Sequence, residues 1–320
     1  MLCTDDTLLF DMRQTLKHIP ILRSISVYLL LLVLPGIADA SSPNGPVVVT
    51  IKPLYSLVAQ LTEGIEEPVL LMKQMPSPHH YSMRPSERRL LSDARVIVWI
   101  GPQMETSLSK IISQQNSLII TAMQADGVKR LERRTKHGHQ HTSDETPSSQ
   151  TNTDPHIWLS IKNAIAISKH VSKQLISSDP ANTARYQANL QQLINRITQL
   201  SANINTDLDG NRQPYITYHD AYQYFEEEHQ LNHIDSISFD EEAGISLKRL
   251  RHIEASIRNN GIRCLLYQPP KPDIVDTLSK QTEIKAFALD PLGLNLEDEK
   301  EAWFKIIQAT AASFKQCLKY

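Results

Sequence analysis

Short, unbroken apolar runs alternate with longer segments of helical period along this chain, and the alternation occurs twice over. A strand without polar alternation is buried on both faces, so VVVTI (Val47 to Ile51) and RVIVWIG (Arg95 to Gly101) imply parallel strands covered by helices. PVLLM and SLIIT complete the strands of the first half. Between and after them come LYSLVAQLTEG, PSERRLLSDA, METSLSKII and IKNAIAISKHVSKQLI, with Pro85 suited to a first helical turn. The second half repeats the order, with PYITY, IDSISF, RCLLY and KAFAL as strands. AYQYFEEEH, LKRLRHIEASIRNNG, KPDIVDTLSKQ and EDEKEAWFKIIQATAASFKQCL are its helices. At 320 residues the chain can build two lobes with separate cores.

Between the halves lies SSDPANTARYQANLQQLINRITQLSANINTDLDG. Asp179 can cap a helix, Pro180 suits its first position and Gly210 follows its end. Tyr186, Leu190, Leu193, Ile197, Leu200 and Ile204 form one apolar stripe. Such a helix runs about 40 Å at 1.5 Å per residue, long enough to cross both lobes and stiff enough to restrict hinge opening. The expected architecture is therefore α/β: two Rossmann-like lobes with parallel sheets joined by one long backbone helix. The lobes span residues 41–178 and 210–320, and the helix 179–209. Residues 133–154, RRTKHGHQHTSDETPSSQTNTD, are polar without apolar period and predict a mobile loop inside the first lobe.

The first forty residues stand apart. Arg13, Lys17 and Arg23 precede an apolar core from Ile25 to Leu34 and a small-x-small ending at Ala38-Asp39-Ala40, which predicts a secretory signal peptide cleaved after Ala40. That core is too short for a membrane span of about 20 apolar residues. The acidic piece before it points to Met12 as the true start. Cleavage removes Cys3 and leaves Cys264 and Cys317; in an exported chain such a pair is most simply a disulfide, two buried free thiols being the alternative. A net charge of -2 with 41% hydrophobic and 21% charged residues is ordinary for a soluble globular protein, and gives no reason to expect nucleic acid or an anionic membrane as partner.

Ligands of open α/β sheets bind beyond the carboxyl ends of the strands. His219 directly follows PYITY and Asp290 directly follows KAFAL; His79 follows PVLLM by a short loop, and His156 follows the polar loop in DPHIWLS. Two potential ligands thus come from each half and are expected to face one another across a cleft. Neutral imidazole is a preferred zinc ligand, and three histidines with a carboxylate or water satisfy a tetrahedral ion. A lone loop histidine is more often a surface or capping residue, and the spacing matches no short zinc-finger motif.

PSPHHYSMRPSE, LSDARVIVWIGPQME, DPHIWLS, YHDAYQYFE and ALDPLGLN, taken in this order, resemble the signature blocks of the zinc-specific solute-binding proteins of ABC importers, the ZnuA type. The resemblance covers nearly the whole chain after residue 40. It implies two α/β lobes bridged by a long helix, with zinc held in the interlobe cleft and delivered to a membrane permease and its ATPase from the periplasm; a monomer is expected. Block by block it puts His79, not His80, together with His156 and His219 on the ligand positions, and Asp290 on a carboxylate that binds metal in some relatives. Cys264 and Cys317 coincide with cysteines that are bridged in the family. His137, His139 and His141 resemble its histidine-rich auxiliary metal loop, in a brief version. Two departures concern the fourth ligand. Pro78 stands where some relatives carry glutamate, and YQPPKP (Tyr267 to Pro272) differs from a block that usually holds one, which leaves Asp290 or water.

Zinc is favoured over manganese because harder ions prefer oxygen donors; a manganese or other divalent-metal binder of the same fold is the alternative. An exported zinc hydrolase fits less well. HGHQH is a faint H-x-H match, but H-E-x-x-H is absent and the motif offers no general base. Because only neutral imidazole ligates, zinc affinity is expected to fall below a pH of about 6.

Overall fold

The computed structural model describes residues 45–73, 77–79, 81–134, 152–239, 244–297 and 299–320. Two four-stranded parallel sheets carry the architecture. The first contains β1 (Val47–Val49), β2 (Val69–Leu70), β3 (Val96–Trp99) and β4 (Leu118–Thr121) in the order β2-β1-β3-β4. Helices α1 (Lys52–Leu61), α2 (Pro85–Ser92), α3 (Thr106–Ile112) and α4 (Ile161–Ser178) flank it. β1 and β3 are buried at every residue, as their unbroken apolar sequence requires. The second sheet has the same topology, β6-β5-β7-β8, from β5 (Tyr215–His219), β6 (His233–Ser238), β7 (Cys264–Tyr267) and β8 (Lys285–Ala288). Its helices are α6 (Gln223–Glu228), α7 (Leu247–Asn259), α8 (Asp273–Thr282) and α9 (Ala302–Cys317). Among the described residues no helix is long and apolar enough to cross a membrane.

The connecting helix α5 runs from Thr183 to Leu208. Its stripe of Tyr186, Leu193, Ile197, Leu200 and Ile204 is buried, and it packs against α1, α4 and α9. α-Helical geometry begins at Thr183, three residues after the expected first position Pro180: Pro180 to Asn182 form a 3-10 turn. The Asp179 carboxylate is used there by the side chains of Asn182 and Tyr186 instead of by helix amides.

The expectation of separate cores is corrected. One continuous apolar cluster includes Val48 and Ile97 of the first sheet, Leu193 and Ile197 of α5, and Trp303, Phe314, Tyr215 and Leu266 of the second half. The physical reason is α9, which packs against β7 and β8 of its own sheet while also contacting α1 and α5. A smaller cluster lies on the other face of the second sheet, where Ile253 and Ile257 of α7 and Val275 and Leu278 of α8 cover Ile216 and Leu265. Cys264 and Cys317 are disulfide-bonded with Cα atoms 5.4 Å apart, tying the start of β7 to the end of α9.

Polar contacts reinforce the joint. The buried Lys52 ammonium donates to the carbonyls of Gly293 (2.8 Å), Leu294 (3.2 Å) and Leu296 (2.8 Å) in the loop after β8. Gly293 sits at φ +64°, and a Cβ there would lie 2.8 Å from Leu296 Cδ1 and 3.0 Å from Ile306 Cδ1, so a side chain at this position would be strained and would push both tips aside. Trp158 Nε1 donates to Pro291 O (2.9 Å) and Trp303 Nε1 to Trp158 O (2.8 Å), stitching the two halves next to the strand ends.

Candidate metal centre

His219 is the last residue of β5, and β5 lies between β6 and β7. The chain leaves β5 toward one neighbour and returns on the other side, so the imidazole stands at the topological switch point where open sheets bind ligands. The equivalent crevice of the first sheet, between β1 and β3, is filled from within. Buried Glu105 accepts from Gly101 N (2.9 Å), Ile100 N (3.2 Å) and the Thr50 hydroxyl, and burial pushes its carboxyl up to about 7. The first half therefore contributes from its edge strands instead: His79 follows β2, and His156 follows β4 by a long excursion and opens a 3-10 turn over Ile157–Leu159.

The three rings converge. Ligand atoms of His79, His156 and His219 all lie within 4.8 Å of one another, and among the described residues this is the group of His, Cys, Asp or Glu able to hold a metal ion. Ring centroids are 5.1 Å apart for His156 and His219, 5.6 Å for His79 and His156, and 6.5 Å for His79 and His219. The ring planes meet at 76°, 68° and 81° respectively, so the imidazoles radiate from a common point instead of stacking. Nitrogens about 2.0–2.1 Å from a tetrahedral zinc ion stand about 3.4 Å apart. Loading an ion therefore asks for a contraction of about 1.4 Å at most.

Two of the rings are oriented from behind. His156 Nδ1 is 2.7 Å from Asp154 Oδ1, the same oxygen that accepts from the His156 backbone N–H at 3.0 Å. His219 Nδ1 is 3.2 Å from Gln268 Oε1, at the end of the adjacent strand β7. With Nδ1 engaged, Nε2 of each ring is the nitrogen presented to a metal. His156 and His219 are 5% and 4% exposed, whereas His79 is half-buried. The cleft over the rings has a volume of ≈ 750 Å³ and is also lined by Tyr81, Arg134, Asp220 and Phe239. Burial pushes the Asp220 carboxyl up, against the opposing pull of the Arg134 guanidinium.

Asp290 stands apart from this group. Its Oδ1 accepts from Leu292 N (3.0 Å) and Gly293 N (2.9 Å), and Oδ2 from Leu294 N (2.7 Å), so the carboxylate shapes its own loop. His80 and the histidines at 137, 139 and 141 lie outside the described residues, as do residues 1–40. Asp154, Gln268 and Arg134 were not anticipated from sequence. The Asp154-Pro155-His156 spacing carries a signal for the first, an aspartate able to bond a backbone N–H two residues on; Gln268 needs the β5 to β7 pairing to be known.

The family profile described as "Zinc-uptake complex component A periplasmic", ZnuA, matches residues 47–317, which takes in all three histidines. The chain belongs to the ZnuA family. It is 29% identical over 304 residues to the "High-affinity zinc uptake system protein ZnuA" of Brucella abortus, covering 85% of this chain and 91% of that protein. The protein of the same name from Haemophilus ducreyi is 29% identical over 290 residues, with 86% and 94% covered. Among solved structures the fold matches a crystal structure of ZnuA with a TM-score of 0.71 and 20% identity, covering 86% of this chain and all of that one. FpvC of Pseudomonas aeruginosa in complex with Mn2+ gives a TM-score of 0.72 at 18% identity, with 87% and 99% covered. At such identities these two structures speak for the fold alone.

Proposed function

We propose that this protein is the zinc-capturing component of an ABC importer, exported with cleavage after Ala40, and that His79, His156 and His219 bind Zn2+ in the cleft for delivery to a permease and its ATPase. The observation that carries this reading is the convergence of three imidazoles, from segments far apart in sequence, on one point at the end of β5. Neutral nitrogen donors suit zinc better than manganese, and membership of the ZnuA family points the same way. Since Asp290 is engaged by backbone amides, water takes the fourth position in this reading. The protein binds and releases its ion without chemical conversion, and acts as a monomer.

Calorimetric titration of the metal-free protein tests this. One zinc ion per chain is expected for the wild type, with loss of tight binding in His79→Ala, His156→Ala and His219→Ala alike. Undiminished affinity in any two of these variants would place the ion elsewhere. Hydrolysis of ester or peptide substrates by the zinc-loaded protein would replace capture with catalysis.

A further inference from the structure

Three carboxylates stand close to the histidines in sequence or at the strand ends, and each is engaged. Asp154 is bound to the ring and N–H of His156, and Asp290 to three amides of its own loop, both through contacts two to four residues away. Asp220 differs. It follows His219 directly and lines the same cleft, yet its partner is a single side chain 86 residues away. Arg134 Nη1 donates to Asp220 Oδ1 at 2.8 Å and Nη2 to Glu226 Oε2 at 2.6 Å. The two carboxylate side chains are 7% and 2% exposed, so this is a largely buried triad with one cation between two anions.

We propose that Arg134 is a specificity-determining residue: by holding Asp220 it keeps the metal's protein ligands all imidazole, so the cleft takes Zn2+ and discriminates against harder divalent ions such as Mn2+. This rests on the zinc-binding reading of His79, His156 and His219. Manganese prefers oxygen donors, and a carboxylate beside His219 is what an all-imidazole site lacks. A guanidinium is suited to the task because it stays charged and holds two carboxylates in fixed geometry, which an ammonium matches as a point charge only. Without it, Asp220 and Glu226 are left as two buried anions with no cation between them, and a divalent ion in the cleft that Asp220 lines offers the carboxylate a counter-charge. A purely electrostatic effect would strengthen binding of every divalent cation alike. A ligating oxygen strengthens manganese more than zinc, so the ratio of the two affinities separates the cases.

The test is competition of the metal-free protein against a chromophoric chelator, with Zn2+ and Mn2+ measured separately for wild type, Arg134→Gln, Arg134→Lys, Asp220→Asn and the Arg134→Gln/Asp220→Asn double variant. Arg134→Gln is expected to shift the ratio toward manganese by about tenfold or more, on the scale of changes around a metal's ligands. Arg134→Lys, which keeps the charge but not the two-carboxylate geometry, falls between wild type and Arg134→Gln, and the double variant returns to the wild-type ratio. An unchanged ratio in Arg134→Gln, or a gain that persists in the double variant, overturns the proposal. Should Arg134→Gln fail to fold, Asp220→Asn decides: a wild-type ratio supports a sequestered carboxylate, and a tenfold fall in either affinity shows that Asp220 already ligates. Failure of the underlying reading looks different, as zinc affinity in the wild type that His219→Ala leaves untouched.

Discussion

Removing the carboxylate behind His156 should weaken zinc binding more than removing the amide behind His219. The Asp154 contact is charge-assisted, 2.7 Å long and buried on both sides. Hydrogen bonds to charged groups are worth about 1.5–3 kcal/mol, and neutral ones about 1 kcal/mol. The Gln268 contact is neutral and longer, at 3.2 Å. At about 1.4 kcal/mol per tenfold, Asp154→Ala is expected to raise the zinc dissociation constant about ten- to a hundredfold, and Gln268→Ala about fivefold. Asp154 has a second hold, on the His156 N–H, so its loss also loosens the backbone that aims the ring. Asp154→Asn retains an acceptor without the charge and should fall between wild type and alanine. Chelator competition at fixed ionic strength measures all three. Equal losses at Asp154 and Gln268 would refute the ranking by charge, and no loss at Asp154 would refute the view that contacts behind the rings set their orientation.

The auxiliary histidines provide a contrast: His219→Ala should abolish tight binding, while His80→Ala and His139→Ala should leave the dissociation constant within a few fold by calorimetry. His229 is buried against Phe225, with ring centroids 4.4 Å apart, and burial pulls its imidazole down to about 4. The unfolded chain binds that proton from about pH 6.5 and the folded chain only near 4. Stability is therefore lost as pH falls across this window, by up to about 2 kcal/mol after allowing for solvent screening. Chemical denaturation of metal-free His229→Phe should show a shallower decline over the same range. Reduction, or Cys264→Ser with Cys317→Ser, opens a link across 53 positions. It should cost about 4 kcal/mol in the chain-entropy model, read from denaturant midpoints. Small-angle scattering curves of metal-free and zinc-loaded protein should superimpose, and a clear change in radius of gyration would show that the halves swing.

The sheets were legible because strands buried on both faces must be apolar throughout, and β1 and β3 are buried along their whole length. The α5 stripe was legible for the matching reason, since one face of a long helix has to be covered. Strand-end logic also placed His219, which needed only its position at the end of β5. For Asp290 it gave the location after the end of β8, while the carboxylate's bonds to the amides of its own loop were decided locally. Asp290-Pro291-Leu292-Gly293 is itself a turn sequence, and an aspartate at its first position commonly accepts the amides that follow. The shared core was hidden for a different reason: periodicity tells which face of α9 is apolar, and says nothing about which half of the molecule covers it. Arg134 was invisible because its partners lie 86 and 92 residues away.

The shared core and the stitched strand ends bear on how the ion enters. Swinging the halves apart would break the bonds of Trp158 to Pro291 and of Lys52 to the carbonyls after β8, at about 1 kcal/mol each and more where a charge donates. It would also expose apolar surface that the halves cover for each other, at about 25 cal/mol per Å². Every 100 Å² thus adds about 2.5 kcal/mol. Against this, the imidazoles need to approach by only about 1.4 Å to reach tetrahedral spacing. His156 and His219 are buried and fixed from behind, so they contribute little of that motion. His79 is half-buried and sits in a short stretch after β2, with its N–H 3.4 Å from Ser77 Oγ. Closing the site by a small approach of the three rings is thus less costly than swinging the lobes, which stay where the common core holds them.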